Sequence, residues 1–285
     1  MKGMKKMKKV LTVLAYLLFP IIVTVIASGF GNIFITLGAL VASLAVVAVI
    51  LRADLFMLIG TFNYQKDRAK GLKWMEKSMK TGKMRAKSQL LYAYLLVRNG
   101  YIDDAESIIN KTTYLGKDIL KESDFKTADF NMALITWKRG NLNDAIMQME
   151  ELYSEGYLNS NLYGSLGYFY IANNEIDKAI EFSKEGAEYN PDDLITLDNL
   201  GQAYIAAGNL DEADEIYDKI FDNNPEFIEP FYNYATLLEK RGELTDAKEC
   251  YEKALEYDEK YLSTVTHDMV KQAIERLDEI LEIEK

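Results

Sequence analysis

The residues able to do chemistry are few. His267 is the only histidine and Cys250 the only cysteine among 285 residues. One histidine cannot build a multi-histidine metal centre, and one cysteine forms neither an intrachain disulfide nor a thiolate cluster. His267 reads as an ordinary residue of a terminal helix, and Cys250 as a small packed residue. Asp211, Glu212, Asp214 and Glu215 bring together enough carboxylates for calcium but lack the glycine-centred loop that folds round it. They read better as the first turn of a helix, where carboxylates meet the positive end of the helix dipole. No G-x-x-x-x-G-K-[ST] or G-x-G-x-x-G phosphate loop occurs. The chain is therefore expected not to be an enzyme, with no catalytic residue, no metal, no cofactor and no small-molecule substrate.

Charge narrows the partners. Residues 1–88 hold 15 basic and 3 acidic residues, hence +12, whereas the remainder holds 18 basic and 41 acidic residues, hence −23. So acidic a region repels phosphate backbones, and nucleic acid is not expected as a partner. The scarcity of cysteine fits a reducing compartment.

The elements that would carry any function divide sharply. Val10 to Leu51 contains no Asp, Glu, Lys, Arg or His. Within it, residues 10–28 and 33–51 are two apolar runs separated by Gly29, Phe30, Gly31 and Asn32, which read as a tight turn. A helix of such length reaches about 28 Å, close to the hydrocarbon thickness of a bilayer. Pro20 kinks the first run, as membrane helices tolerate. Lys2, Lys5, Lys6, Lys8 and Lys9 precede the first run, Arg52, Lys66, Arg68, Lys70 and Lys73 follow the second, and the turn carries no charge. Positive charge stays on the cytoplasmic side. The expectation is a two-span transmembrane hairpin in a bacterial cell membrane, with the basic segment 1–9 and everything after residue 51 cytoplasmic. The competing reading is a cleaved signal peptide, for which Ala27-Ser28-Gly29 gives only a loose cleavage site.

Beyond residue 85 the chain repeats. Ala105, Ala145, Ala179, Ala213 and Ala247 recur with spacings of 40, 34, 34 and 34. Five residues earlier stand Gly100, Gly140, Asn174, Gly208 and Gly242; twelve residues earlier stand Ala93, Ala133, Gly167, Gly201 and Ala235. The last row suits a helix crossed closely by another, the glycine row a left-handed helix end, and the alanine row a second helix packing back on the first. Such a helix–turn–helix cannot bury its apolar face alone, but stacked copies bury a continuous core.

With Leu197, Leu200, Gly201, Tyr204, Gly208, Ala213, Tyr217 and Pro225 at its signature positions, the copy at 194–227 resembles the tetratricopeptide repeat. The copies at 160–193 and 228–261 are similar, and those at 86–125 and 126–159 looser, the first being longer by six residues. The resemblance implies an all-α fold: a right-handed superhelical solenoid of five repeats behind the hairpin. Residues 262–285 form a capping helix, with Val265, Met269, Ala273, Leu277 and Ile280 or Leu281 on one face. Residues 52–85 form a basic juxtamembrane segment and a degenerate leading repeat. There Lys66, Lys70, Lys73, Lys77 and Lys80 step by three and four into one stripe, read either as a bed for anionic lipid headgroups or as a solvated face that sets topology.

The family lines a concave groove with the first helix of each repeat. Carried over, its groove positions are Phe130, Asn131, Leu134 and Trp137, then Ser165 and Tyr168, then Asp198, Asn199 and Gln202, then Tyr232, Asn233 and Thr236. An asparagine shared by three repeats can read the backbone of an extended peptide through its N–H and its C=O, while the aromatics form pockets. The other reading makes the aromatics packing and the asparagines habit of the consensus. Leu90, Tyr94, Phe130 and Asp198 stand where a carboxylate clamp would need basic residues, so an acidic chaperone tail is not expected. Whether residues 110–125 occupy the groove stays open at this level.

The functional expectation is a membrane-anchored scaffold whose repeat groove binds a protein or extended peptide. The alternative is an accessory or regulatory subunit of a membrane-bound enzyme or envelope-assembly complex. It would be recognised through the hairpin, where Gly38, Ala39, Ala42, Ser43 and Ala45 allow close helix packing.

Overall fold

In a computed structural model the chain is described over residues 2–116 and 118–283, with the side chains of residues 2–14 and 283 outside that description. All regular elements among the described residues are helices. They form two compact units, residues 1–89 and 90–285.

The first unit begins with two packed helices, α1 (Lys2–Ser28) and α2 (Ile33–Ile50). Gly31 makes the turn between them at φ +66°, and the Asn32 side chain caps α2 by accepting from the amides of Phe34 and Ile35. Pro20 sits inside α1, and the Thr24 hydroxyl donates to the Pro20 carbonyl at 2.7 Å. Two small residues are among those the hairpin buries, Ala27 of α1 and Ser43 of α2. Most large apolar side chains from Leu17 to Ile50 are exposed. Among the described residues only α2 is long and apolar enough to cross a membrane, with mean hydropathy 2.8; the apolar part of α1, Ala15–Ser28, is shorter. The hairpin thus exists as a helical hairpin, with one candidate span rather than the expected two. The five lysines assigned to orient its N-terminal end lie among the side chains outside the description.

After Leu51 come α3 (Arg52–Tyr64) and α4 (Arg68–Lys80), packed as a second hairpin. Asp67 caps α4, its carboxylate accepting from the Lys70 amide at 2.9 Å. Contact is close because glycines face the partner helix. A Cβ on Gly60 would fall 2.6 Å from Met75 Cγ, and one on Gly71 would run into the Tyr64 backbone. The buried Ser78 hydroxyl closes the far end by donating to the Ala53 carbonyl at 2.6 Å.

The second unit stacks helical hairpins. After α5 (Ala86–Val97) and α6 (Ile102–Leu115) come α7 (Glu122–Lys138) and α8 (Leu142–Ser154), α9 (Ser160–Ala172) and α10 (Ile176–Tyr189), α11 (Leu194–Ala207) and α12 (Leu210–Asp222), α13 (Ile228–Arg241) and α14 (Leu244–Ala254). The three spaced rows account for this. The alanine row, Ala105 to Ala247, is fully buried throughout. The turn row, Gly100, Gly140, Asn174, Gly208 and Gly242, adopts positive φ in every repeat. In the third row a Cβ on Gly201 would strike the Tyr217 ring at 2.8–3.1 Å, so the two helices of that repeat meet as closely as glycine permits. Two of the junctions are also pinned by ion pairs: Arg139, just after α7, pairs with Asp103 and Glu106 of α6, and Arg241 of α13 with Asp211 and Asp214 of α12. The acidic cluster of α12 is accounted for by that contact and its place in the helix's first turns. Helix α15 (His267–Ile283) covers the end of the stack through buried Val270, Ala273 and Leu277.

Candidate functional site

The first helices α7, α9, α11 and α13 carry the twelve residues expected to line a groove. The structure sorts these into two sets. Phe130, Asn131, Leu134, Asp198, Asn199 and Asn233 are buried, and Trp137, Ser165, Tyr168, Gln202, Tyr232 and Thr236 are half-buried.

The asparagines are turned into the stack, between neighbouring repeats. The amide Nδ2 of Asn131 donates to the Leu90 carbonyl at 3.1 Å, and that of Asn199 to the Gly164 carbonyl at 2.7 Å. Each reaches the first helix of the preceding repeat, one position before the asparagine's own place in that repeat. Asn233 reaches toward the same position but meets a side chain there, donating to both Asp198 carboxylate oxygens at 3.1 and 3.2 Å. The shared asparagine is a rung between repeats. Its helix interior position serves by bonding a neighbouring carbonyl in the dry interface, where an unmet amide would be costly. Phe130 is likewise packed, its ring tilted against Tyr94 and Tyr157.

Asp198 is a buried carboxylate without a cation. Besides Asn233, it accepts from the Tyr217 hydroxyl at 3.2 Å. Burial pushes its carboxyl up to about 7, with the nearby Glu229 charge adding to the rise and the two hydrogen bonds opposing it. The Tyr217 hydroxyl is raised in turn, by burial and then by the Asp198 charge.

The half-buried set forms the open face. Trp137 lies edge-on to Tyr168 at 5.7 Å, and Tyr232 tilts against Tyr251 at 5.2 Å. Burial, followed by the charge of Glu229, raises the Tyr168 hydroxyl.

One participant is not announced by the sequence pattern, the segment after α14. Helix α14 ends at Ala254, and residues 255–266 leave the stack as a strap instead of completing a second helix. Tyr257 stacks on Phe231 at 4.7 Å, Thr264 N–H donates to Glu229 at 3.0 Å, and Val265 is buried. Tyr261 then reaches the opposite end of the stack. It abuts Gly100, where a Cβ would be 3.0 Å from its ring, and its ring lies 4.9 Å from Lys138 Nζ. Lys138 also sits 4.4 Å over the Trp137 ring; burial lowers its pKa, and Glu259 of the strap partly restores it. The strap thus bridges the last repeat and the first two. His267 fastens its base, with Nε2 2.8 Å from the Tyr257 carbonyl and its own amide donating to Glu259 at 2.9 Å. Tyr114, Leu115 and Ile119, which follow the first turns of α6, point into solvent.

Lys66, Lys70, Lys73, Lys77 and Lys80 are all exposed. Lys77 lies 4.1 Å over the Trp74 ring, Lys66 5.0 Å over Phe62, and Lys80 pairs with Glu76. Cys250 is half-buried, and burial, then Asp246 and Glu249, push its thiol up to about 11, which makes it a packed and unreactive residue. No group of three or more metal-ligating side chains occurs among the described residues.

Family models of the tetratricopeptide repeat match residues 160–193, 196–227 and 228–261. No curated protein matches the chain. Among solved structures it is similar to a tetratricopeptide repeat protein from Parabacteroides merdae (TM-score 0.59, 12% identity, 85% of this chain and 93% of that one). It is also similar to a thermophilic tetratricopeptide-repeat protein of Thermus thermophilus (TM-score 0.53, 19% identity, 68% and 99%) and to pilF of Pseudomonas aeruginosa (TM-score 0.52, 16% identity, 69% and 85%). At these identities the likeness is one of fold. Residues 160–193, 196–227 and 228–261 match the tetratricopeptide repeat, and the described residues of the second unit, which contains them, fold as an all-helical stack of repeats.

Proposed function

We propose that the protein is a membrane-anchored scaffold whose repeats hold an extended segment of a partner protein on the face lined by Trp137, Tyr168, Gln202, Tyr232 and Thr236. The observation that carries this reading is the strap. Residues 255–266 are a non-helical stretch of chain bridging the stack, with Tyr261 against Lys138 and Gly100. A surface that accepts such a segment from its own chain has the shape and the aromatic and cationic contacts to accept one from another. The tetratricopeptide fold, which serves protein recognition in general, supports the same reading. Binding would rest on aromatic contact and Lys138, with the asparagines holding the repeats in register.

Anchorage is supported by α2, which carries no charged residue and is apolar apart from Thr36 and Ser43, and by its pairing with α1 across a four-residue turn. In the proposed arrangement both helices cross a cell membrane, and the N-terminal segment and the repeats share the cytoplasmic side with the basic residues. The test is capture from detergent-solubilised membranes by the intact protein and by a Trp137→Ala/Tyr168→Ala variant. A partner lost only from the variant supports the groove. A partner retained by both removes it and favours recognition through the hairpin.

A further inference from the structure

The α3–α4 hairpin presents two faces of opposite character. Ala53, Met57, Gly60 and Tyr64 of α3 turn toward α4, where they meet Ser78, Met75 and Gly71. On a helix of 3.6 residues per turn, Leu55, Leu58, Ile59 and Phe62 must then point the other way. All four are exposed, Leu58 and Phe62 by 67% and 61%. On α4 the buried residues are Gly71, Leu72, Met75 and Ser78, so Lys70, Lys73, Lys77 and Lys80 lie on its side away from α3. The apolar stripe and the lysine stripe are thus on opposite sides of a two-helix layer, and a flat membrane can meet only one of them.

The apolar side is the one continuous with the membrane helix. Exposed large apolar residues run through α2 to Val49 and Ile50, and resume at Leu55 after one helix break at Leu51. Thirteen residues make α3 about 20 Å long, too short to cross the hydrocarbon layer. Its ends carry the residues of an interfacial helix: Arg52 at the start, and Lys66 just past the end with its ammonium over Phe62. At the α2 end, Arg52 and Phe56 of α3 and Lys77, Lys80 and Thr81 beside them border a shallow cleft of about 320 Å³ with basic residues on both walls.

Resting on the anchorage proposed above, we infer that α3 is an in-plane membrane helix. Leu55, Leu58, Ile59 and Phe62 enter the bilayer to the level of the acyl chains, Arg52 and Lys66 reach the lipid phosphates, and the lysine stripe of α4 points away from the membrane. This reverses the expectation that the stripe itself rests on lipid.

The test places an environment-sensitive fluorophore on one cysteine at a time, Leu58→Cys or Lys73→Cys, in full-length Cys250→Ala protein. The protein is reconstituted into vesicles of phosphatidylcholine and phosphatidylglycerol in equal parts, with and without acyl-brominated lipid. Label at 58 is expected to emit to the blue and to be quenched severalfold by brominated lipid, and label at 73 to behave as in water. Emission at 58 like that in water, from protein that resists carbonate extraction, overturns the inference and leaves the anchorage standing. Blue emission at 58 that brominated lipid does not quench means that protein covers α3, and quenching at 73 instead means that the stripe faces lipid; either overturns it. Release of the chain by carbonate overturns the anchorage and the inference with it.

Discussion

Replacing Asp198 by asparagine is expected to stabilise the protein at mildly alkaline pH and to flatten its stability profile. The carboxyl titrates at about 7 when folded, against an ordinary 3.8. The folded state therefore holds a proton that the unfolded state releases. Stability from this group is full below the unfolded pKa and is lost as pH rises through the folded one. A difference of about three pH units at 1.36 kcal/mol each sets the scale of the loss at about 4 kcal/mol between about pH 4 and pH 8. Asparagine keeps an oxygen for the Tyr217 hydroxyl and the Asn233 amide, which now bond the carboxylate at 3.1–3.2 Å, and it never ionises. Urea unfolding of both proteins in mild detergent, followed by helical circular dichroism at acid and alkaline pH, isolates the effect, because every other titrating group is shared. The variant should gain on the parent steadily as pH rises to about 7 and hold the gain above it. Parallel profiles, or a variant less stable than its parent at alkaline pH, would refute the account of a buried, uncompensated carboxylate.

Other substitutions address the stack and the strap. Asn199→Ala removes the donor to the Gly164 carbonyl and should lower stability by about 1–3 kcal/mol, read as a drop in melting temperature; no change would mean that the rung is idle. Gly201→Ala forces a methyl against the Tyr217 ring and is expected to cost about 1–3 kcal/mol by the same measurement. Gly208→Ala, at φ +82°, should cost about 1 kcal/mol through its left-handed backbone alone. Tyr261→Ala removes the contact with Gly100 and Lys138, so amide exchange in residues 258–266 should quicken while exchange in α9 and α11 stays unchanged. Equal protection of the strap in both proteins would show that Tyr261 does not hold it.

Much of the fold was legible because each spaced row answers a local demand. An alanine at 0% exposure, a glycine at φ above +80° and a glycine against a tyrosine ring are all conditions that residue type alone can announce. The groove was less legible. Period locates Asn131, Asn199 and Asn233 in their repeats, but a helix turns about 100° per residue. The next residue along faces another environment, and period does not say which of them meets the neighbouring helix. The strap was hidden for a different reason. Residues 255–261 complete a 34-residue period, yet their partners at Gly100 and Lys138 lie more than a hundred residues away in sequence. For α4, spacing gave the stripe correctly but not its side of the layer, which depends on where α3 packs.

The central claim is that the open face of the repeats, beneath its own strap, is where a partner binds. A photo-crosslinking amino acid at Gln202, half-buried on that face, and at Glu181, exposed on the second helix of its repeat, tests it directly in intact membranes. The expected result is a partner captured from position 202 and not from 181, in greater yield when Tyr261→Ala loosens the strap. Capture from 181 as readily as from 202, or crosslinks from 202 to the strap alone in both proteins, would contradict it.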